Sequence, residues 1–569
     1  MPHLFRIKVC FYVVFAICAS TVISATTGFS QDLIRTIALE DAYQPNVREG
    51  FGFFFPYLNN NGSVLFTRHF TTVEFVEQEI ANLETGEIST VIVPMSELIS
   101  RNLILDRAGN APFEVTQSQG FSFAQVALNA ADDAVFSQSG NNINGLFRTT
   151  SNGVQQVVVD ETSTVPSADP GTEFRFPLLG VSLSNDGQIA VLSDVRGPNV
   201  QQNTNSTGIY RETAPGSLDL VARENISTTS ESGETVIGTL SNPAFSDSGQ
   251  IVFAARLRQE NNSGRSALLS RTEGGPLEVL YGEGDAVLVD GETATFGGTS
   301  GPHVVNDQGT VAFKSGSTIF VANEVGLESI ATEGDLAFGT TGGIRYRSVG
   351  LRAIGNDGDV AFTASFNTAE SPFVSEGSGL YLYRADQSLE LIARTRNEEA
   401  VGTDGRLFTV IFPPQINDNG QIAFAANLSN TGTGIFGLDA SGELQMVAAS
   451  GVTIDVSDTP SEPDFRTIRN VGFTDGNSTA TNGFNDLGQV AFSATFTDGT
   501  TGVFVSDRLV PPPTILGDCN LDGEVTFADI PSLIEVLISG TFLEQADCNL
   551  DDEVNFLDIA PFVEILAGS

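Results

Sequence analysis

Tryptophan is absent from the 569-residue chain, and lysine, histidine and cysteine are nearly so. The histidines are His3, His69 and His303, and none stands in a recognisable catalytic motif. A Ser-His-Asp set needs one of them, with sequence context that is missing here. A zinc site built on several histidines is disfavoured for the same reason. Lys314 is the one lysine outside the N-terminal segment, and the net charge is -43. Phosphate backbones call for a basic surface, so nucleic acid is excluded as a partner and cations are the natural complement. Cysteine is confined to Cys10, Cys18, Cys519 and Cys548, too few for a disulfide scaffold in a chain of this length. The lack of tryptophan also argues against the aromatic platforms that commonly hold sugars.

Apolar runs of membrane-spanning length are missing too. The longest, Val9 to Ile23, is short for a spanning helix, which takes about 20 apolar residues. Arg6 and Lys8 precede it, Ala25 follows, and polar residues from Thr26 come next. This is signal-peptide anatomy over 1–25, and it predicts an exported protein, secreted or at the cell surface.

What the chain does contain is a repeat. Asn417-Asp418-Asn419-Gly420-Gln421-Ile422-Ala423-Phe424 returns as Asn485 to Phe492 and as Asn306 to Phe313. Looser copies carry glycine at Gly62, Gly187, Gly249 and Gly358, and one has Asp132 in its place. Asn-Asp-x-Gly is turn chemistry, with side chains capping their own backbone and glycine in the left-handed position. The residues after it alternate as a strand does, and Gly-Leu/Ile/Val-aromatic triplets such as Gly434-Ile435-Phe436 open the next. Eight units of roughly 60 residues, each with four short strands, predict an antiparallel propeller over 26–508, with seven blades as the other count.

The last unit stops after Gly502 to Val505 without its next strand, and Ile37 to Leu39 supplies the missing piece from the other end. That predicts a closed ring over 31–508, which hides its sheet edges. Each Asn-Asp turn could instead offer a carboxylate to a cation. The turn alone already demands those residues, so the structural reading is favoured.

A proline-rich linker, 509–516, leads to two matching segments 29 residues apart within 517–569. In the first, Asp518, Asn520, Asp522, Thr526 and Asp529 stand at loop positions 1, 3, 5, 9 and 12, with the carbonyl of Glu524 at position 7. In the second the same places hold Asp547, Asn549, Asp551, Asn555 and Asp558, with the carbonyl of Glu553. Calcium takes 6–8 oxygen ligands, and this spacing wraps one chain around one ion, so two calcium ions are expected. Gly523 suits the sharp bend in the first loop, whereas Asp552 strains it in the second. A helix should follow each loop, burying Ile530, Leu533, Ile534 and Leu537 in one and Ile559, Phe562, Val563 and Leu566 in the other. Gly517 to Ser569 holds 12 acids and neither lysine nor arginine.

This duplicated loop–helix unit resembles type I dockerins, which bind cohesins in bacterial polysaccharide-degrading assemblies. The resemblance covers the last 53 residues and implies calcium-dependent folding, a bacterial source and a cohesin-like or cell-surface protein as partner. Antiparallel helices would carry the loops to opposite ends and keep Cys519 and Cys548 apart. The chain departs from dockerins at positions 10 and 11, where Phe527-Ala528 and Phe556-Leu557 replace polar residues. The repeat region is similar to tandem repeats of exported bacterial proteins of unknown function. The whole reads as an exported calcium-binding propeller used for binding or surface assembly. The alternative is a polysaccharide-degrading enzyme of glycoside hydrolase type, to be recognised by two close carboxylates in a deep axial pocket.

Overall fold

The computed structural model describes residues 34–568 except 41–46, 52–55, 82–87, 108–111, 120–121, 141–142, 177, 185–186, 228–232, 239, 259–263, 300, 324–325, 369–374, 397, 458–460, 475–482, 512–514, 521–524, 540–542 and 550–552. The expected signal segment, Gly523 and Asp552 lie outside the described residues. Two compact units emerge, one ending at Leu509 and one starting at Val510. Among the described residues no helix is long and apolar enough to cross a membrane.

The first unit is a closed eight-bladed β-propeller, each blade one sheet of four to six strands, antiparallel apart from one parallel pairing, Val289 with Leu327, in blade 5. Blade 7 shows the pattern. Gln415–Ile416 lies innermost, the Asn417 turn follows, and Ile422–Leu428, Thr433–Leu438 and Leu444–Ala449 step outward. Glycine at the fourth turn position takes positive φ, as at Gly420 (69°) and Gly488 (83°). Asp132 fills that place in blade 2 at 64°.

The motif aromatics explain the paired sequence signals. Phe424 stands opposite Phe436 across the sheet, as Phe492 does opposite Phe504 and Phe136 opposite Phe147. Their ring centroids lie 5.9, 5.5 and 5.9 Å apart. Cross-strand aromatic pairs of this kind are the unit of sheet stabilisation. Each outer ring folds back over the glycine two residues before it. A Cβ on Gly434 would sit 2.7 Å from the Phe436 ring, and one on Gly502 would sit 2.6 Å from that of Phe504. The glycine is therefore a cradle for its neighbour's ring and not a turn residue. Between blades, Leu380, Leu382 and Ala393 of blade 6 pack with Phe408, Phe424 and Phe436 of blade 7 in one buried cluster.

The ring closes where the chain ends predict. Ile34–Leu39 pairs antiparallel with Thr501–Ser506, placing Ala38 opposite Val503. Arg35 adds a bond to the Gly62 carbonyl at 3.1 Å, and Thr36 one to that of Val456 at 3.0 Å. Leu58, Val64 and Phe66 of blade 1 pack against Ala491, Val503 and Val505 of blade 8.

Two blades carry additions. In blade 1 the strands Val64–Ala81 and Ile88–Asp106 run on as a two-stranded ribbon beyond their flanking partners. Blade 5 gains the hairpin Ala286–Val289 and Glu292–Thr295.

Candidate metal centres

In the C-terminal unit, Ile530–Ser539 and Ile559–Gly568 are the two expected helices. Each follows a loop whose twelfth residue clamps it shut. Asp529 Oδ1 accepts from the Asn520 amide at 2.9 Å, and Oδ2 accepts from that of Thr526 at 2.8 Å. Asp558 repeats this with Asn549 at 3.2 Å and Asn555 at 2.8 Å. Thr526 also caps the short 3-10 turn beyond it, accepting from Ala528 at 3.1 Å. Asp518, Asp529, Asp547 and Asp558 are all buried, the twelfth-position pair completely. Burying an ionised carboxylate without a countercharge costs several kcal/mol, and no lysine or arginine stands between Gly517 and Ser569. Carboxylate and amide oxygens are a hard donor set, and calcium fits it. Glu553 and Asn555 complete the described part of the second loop, whereas Asp522, Glu524 and Asp551 lie outside the described residues. Among the described residues no three acidic, thiol or imidazole groups converge as a ligand set.

Two expectations about this module need correcting. Leu533 and Phe562 are buried, with Ile530, Leu537, Ile565 and Leu566 packed beside them. Ile534 (49 % exposed), Ile559 (40 %) and Val563 (53 %) face outward instead. Helices apolar on several sides have more than one stripe at i, i+3 and i+4 spacing, and packing chooses between them. Cys519 and Cys548 are free, so the expected absence of a bond between them holds, but both belong to that same small core and the expected separation does not. The Gly517 amide bonds the Gln545 carbonyl at 2.7 Å, which brings together the segments leading into the two loops. The second residue of each loop then turns inward.

On the propeller axis, the innermost strands and turns of seven blades line a cavity of about 370 Å³. The first turn residue is a lashing between blades. Asn485 Oδ1 accepts from its own turn's Gln489 amide at 2.9 Å, while Nδ2 donates to the Asn59 carbonyl of blade 1 at 3.0 Å. Asn417 reaches Asn485 (3.1 Å), Asn59 reaches Asn129 (2.9 Å) and Asn306 reaches Gly355 (3.0 Å) in the same way.

The second turn residue forms an inner chain. The Asp418 amide donates to Asp486 Oδ1 at 2.8 Å, and the Asp486 amide to Asn60 Oδ1 at 3.0 Å. Asn60 Nδ2 returns a bond to the Asp486 carboxylate. Asp307 is linked likewise to Asp247 and Asn356, at 2.5 and 2.9 Å. Asp418 opens onto the axial cavity, but protein on the other sides and the charges of Asp486 and Asp307 raise its pKa well above the usual carboxylate range. Sequence reasoning valued these turns for their geometry. The step between neighbouring blades that brings second residues together has no linear signature.

His303 lines the same cavity, with Nε2 3.1 Å from the Asn242 carbonyl and 3.5 Å from Ser241 Oγ. Burial lowers its pKa. His69 stands in register with Gly50 and Arg101 in blade 1.

Fold and repeat define the class, a closed eight-bladed propeller whose blades are joined by Asn-Asp turns around the axis. The chain belongs to the family described as "Family of unknown function (DUF7453)", whose model matches residues 58–516. No curated protein matches. Among solved structures it is similar to a puromycin hydrolase at 12 % identity and a TM-score of 0.36, over 77 % of this chain and 58 % of that one. It is also similar to a periplasmic gluconolactonase from Pseudomonas aeruginosa (12 %, TM-score 0.29, 67 % and 94 % of the two chains). A third is TolB from Acinetobacter baumannii (13 %, 0.26, 68 % and 79 %).

Proposed function

We propose that the protein is an exported propeller that works as a binding or surface-assembly component, attached through a calcium-dependent, dockerin-like C-terminal module. The observation that carries this is the set of four buried aspartates, Asp518, Asp529, Asp547 and Asp558, in a module without a basic residue. Two calcium ions supply the missing positive charge, and their binding energy becomes folding energy. Phe527 (78 % exposed), Phe556 (76 %) and Leu557 (68 %) stand out to solvent at positions 10 and 11 of the two loops. Apolar residues so displayed on an acidic module suit a partner with an apolar patch and a basic rim.

Calcium counting by equilibrium dialysis on the full chain, for wild type and for Asp529→Asn/Asp558→Asn, tests the reading. The double variant should hold two ions fewer. Chelator should make the C-terminal module the first site of limited proteolysis. Equal ion counts in the two proteins, or a module equally resistant with and without chelator, refutes it.

The glycosidase alternative finds its pair of acids in Asp418 and Asp486. Glycosidase carboxyls stand about 5–9.5 Å apart so that sugar or water fits between them. Asp486 spends one oxygen on the Asp418 amide at 2.8 Å and the other on Asn60, so this carboxylate joins blades and is not presented to a glycosidic bond.

A further inference from the structure

We propose that the end of the propeller axis away from the Asn-Asp turns binds an organic polyanion, held by Arg175, Arg347 and Arg469. This gives a ligand class to the binding role proposed above and involves none of the C-terminal residues.

The three arginines occupy one position of the repeat. Each directly follows a buried residue of an innermost strand, Phe174 in blade 3, Tyr346 in blade 6 and Ile468 in blade 8. Those residues stand opposite Val195, Phe366 and Phe496 of the next strand out. The register slips between Tyr346 and Ser348 and between Ile468 and Asn470, so Arg347 and Arg469 are the extra residues of two β-bulges. A bulge re-aims its side chain out of the regular sheet, and all three arginines are exposed. On the innermost strands of a closed ring that exposure is to the axial opening. The strands run from these residues towards the Asn-Asp turns, which puts the arginines at the other end of the axis. Blades 3, 6 and 8 are spread around the ring, so the guanidinium groups surround the opening.

The repeat provides its own control. Blades 4 and 7 have the same slip, with Ile237 and Thr409 as the extra residues. The bulge therefore does not require arginine. The chain as a whole has 27 basic against 70 acidic residues. On the innermost strands of blades 3, 6 and 8 the balance reverses, with Arg175, Arg345, Arg347, Arg352, Arg466 and Arg469 against Glu173. Arg345, Arg352 and Arg466 are tied to the fold, bonding the Gly334 carbonyl (2.6 Å), the Thr363 hydroxyl (3.0 Å) and the Asp464 carboxylate (2.7 Å). Glu173 is taken by Arg196 at 3.2 Å. Arg175, Arg347 and Arg469 have no side-chain hydrogen bond or ion pair among the described residues.

A guanidinium presents a planar fork that matches carboxylate and other oxyanions. Between the arginines of blades 6 and 8, blade 7 exposes Val410 (44 %) and Phe412 (37 %) on its inner segment. Cationic groups alternating with apolar surface suit a carbon skeleton that bears several carboxylates or sulfates, and not an inorganic ion. The net charge of -43 repels polyanions elsewhere on the protein, and screening over about 10 Å lets the local arginines prevail at this mouth.

The test is isothermal titration calorimetry on the full chain with two probes, trigalacturonate for carboxylate and sucrose octasulfate for sulfate. At least one should bind, more tightly than inorganic sulfate or neutral sucrose. Arg175→Gln/Arg347→Gln/Arg469→Gln should weaken it about tenfold or more, with an unchanged circular dichroism spectrum because no partner is lost. Should the triple variant not fold, Arg347→Gln alone weakens the same probe about threefold. Arg396→Gln, exposed beyond the outermost strand of blade 6, should bind as wild type does. Calcium counts should be equal in the triple variant and wild type, so failure here and failure of the C-terminal reading are told apart. Binding of neither probe overturns the proposal, as does a folded triple variant as tight as wild type. Equal weakening by Arg396→Gln overturns it too, because the attraction would then belong to no site.

Discussion

Replacing Asn485 by alanine should be among the costliest single changes a turn residue of this propeller can suffer. The side chain is buried at 2 % exposure, at the joint between the last blade and the first. Its removal leaves the Asn59 carbonyl without the 3.0 Å bond from Nδ2 and the Gln489 amide without the 2.9 Å bond to Oδ1. Each buried main-chain group left unpaired costs about 1–3 kcal/mol, so the loss of two should be about 2–6 kcal/mol. That is a large share of the about 5–15 kcal/mol by which domains are stable. Leu487→Ala, in the same turn with its side chain half exposed, should stay within about 0.5 kcal/mol. Urea unfolding followed by circular dichroism measures both. Asn485→Asp makes the comparison sharper: it keeps the acceptor for Gln489 but sets an oxygen against the Asn59 carbonyl, and should do no better than alanine. If Asn485→Ala and Leu487→Ala lose equal stability, the inter-blade lashing is not what holds the ring at this seam.

Removing the residues up to Leu39 takes the outer strand from blade 8 and exposes the Thr501–Ser506 edge. The shortened protein should lose its cooperative unfolding transition and associate through that edge, seen by light scattering. Gly434→Ala forces a Cβ to within 2.7 Å of the Phe436 ring and should cost about 1–3 kcal/mol in a urea titration, although this glycine sits in no turn. Asp106 is buried, and burial outweighs Arg35 at 3.9 Å, so its pKa is pushed up to about 6 from 3.8. A carboxyl with a raised folded-state pKa is penalised when ionised, so this group's contribution to stability should improve as pH falls from above about 6 towards 3.8. Asp106→Asn should flatten that part of the profile of thermal midpoint against pH and raise the midpoint at pH 8. An unchanged profile would show that Arg35 compensates the burial in full.

The repeat, the strands and the closure of the ring were all written in the linear chain. Alternation after each Asn-Asp-x-Gly turn set the strand faces, because side chains of a strand point to opposite sides with period two. The unfinished last unit and the stray strand Ile37 to Leu39 set the closure, since an edge strand left bare is a liability. Loop spacing alone likewise marked Asp518, Asp529, Asp547 and Asp558, four groups whose burial then followed. Other features needed the folded chain. Ile534 and Val563 fit an apolar stripe as well as Leu533 and Phe562 do, and only the packing of the two helices decided which pair was covered. The glycine that opens each Gly-x-aromatic strand has no evident purpose in the chain until the ring of its neighbour is seen lying over it. The meeting of Asp418 with Asp486, 68 residues away, was likewise invisible in the chain. Each turn satisfies its own local geometry with the same residues. What brings second residues of successive turns into contact is the lateral packing of whole blades around an axis, a distance that no local spacing encodes.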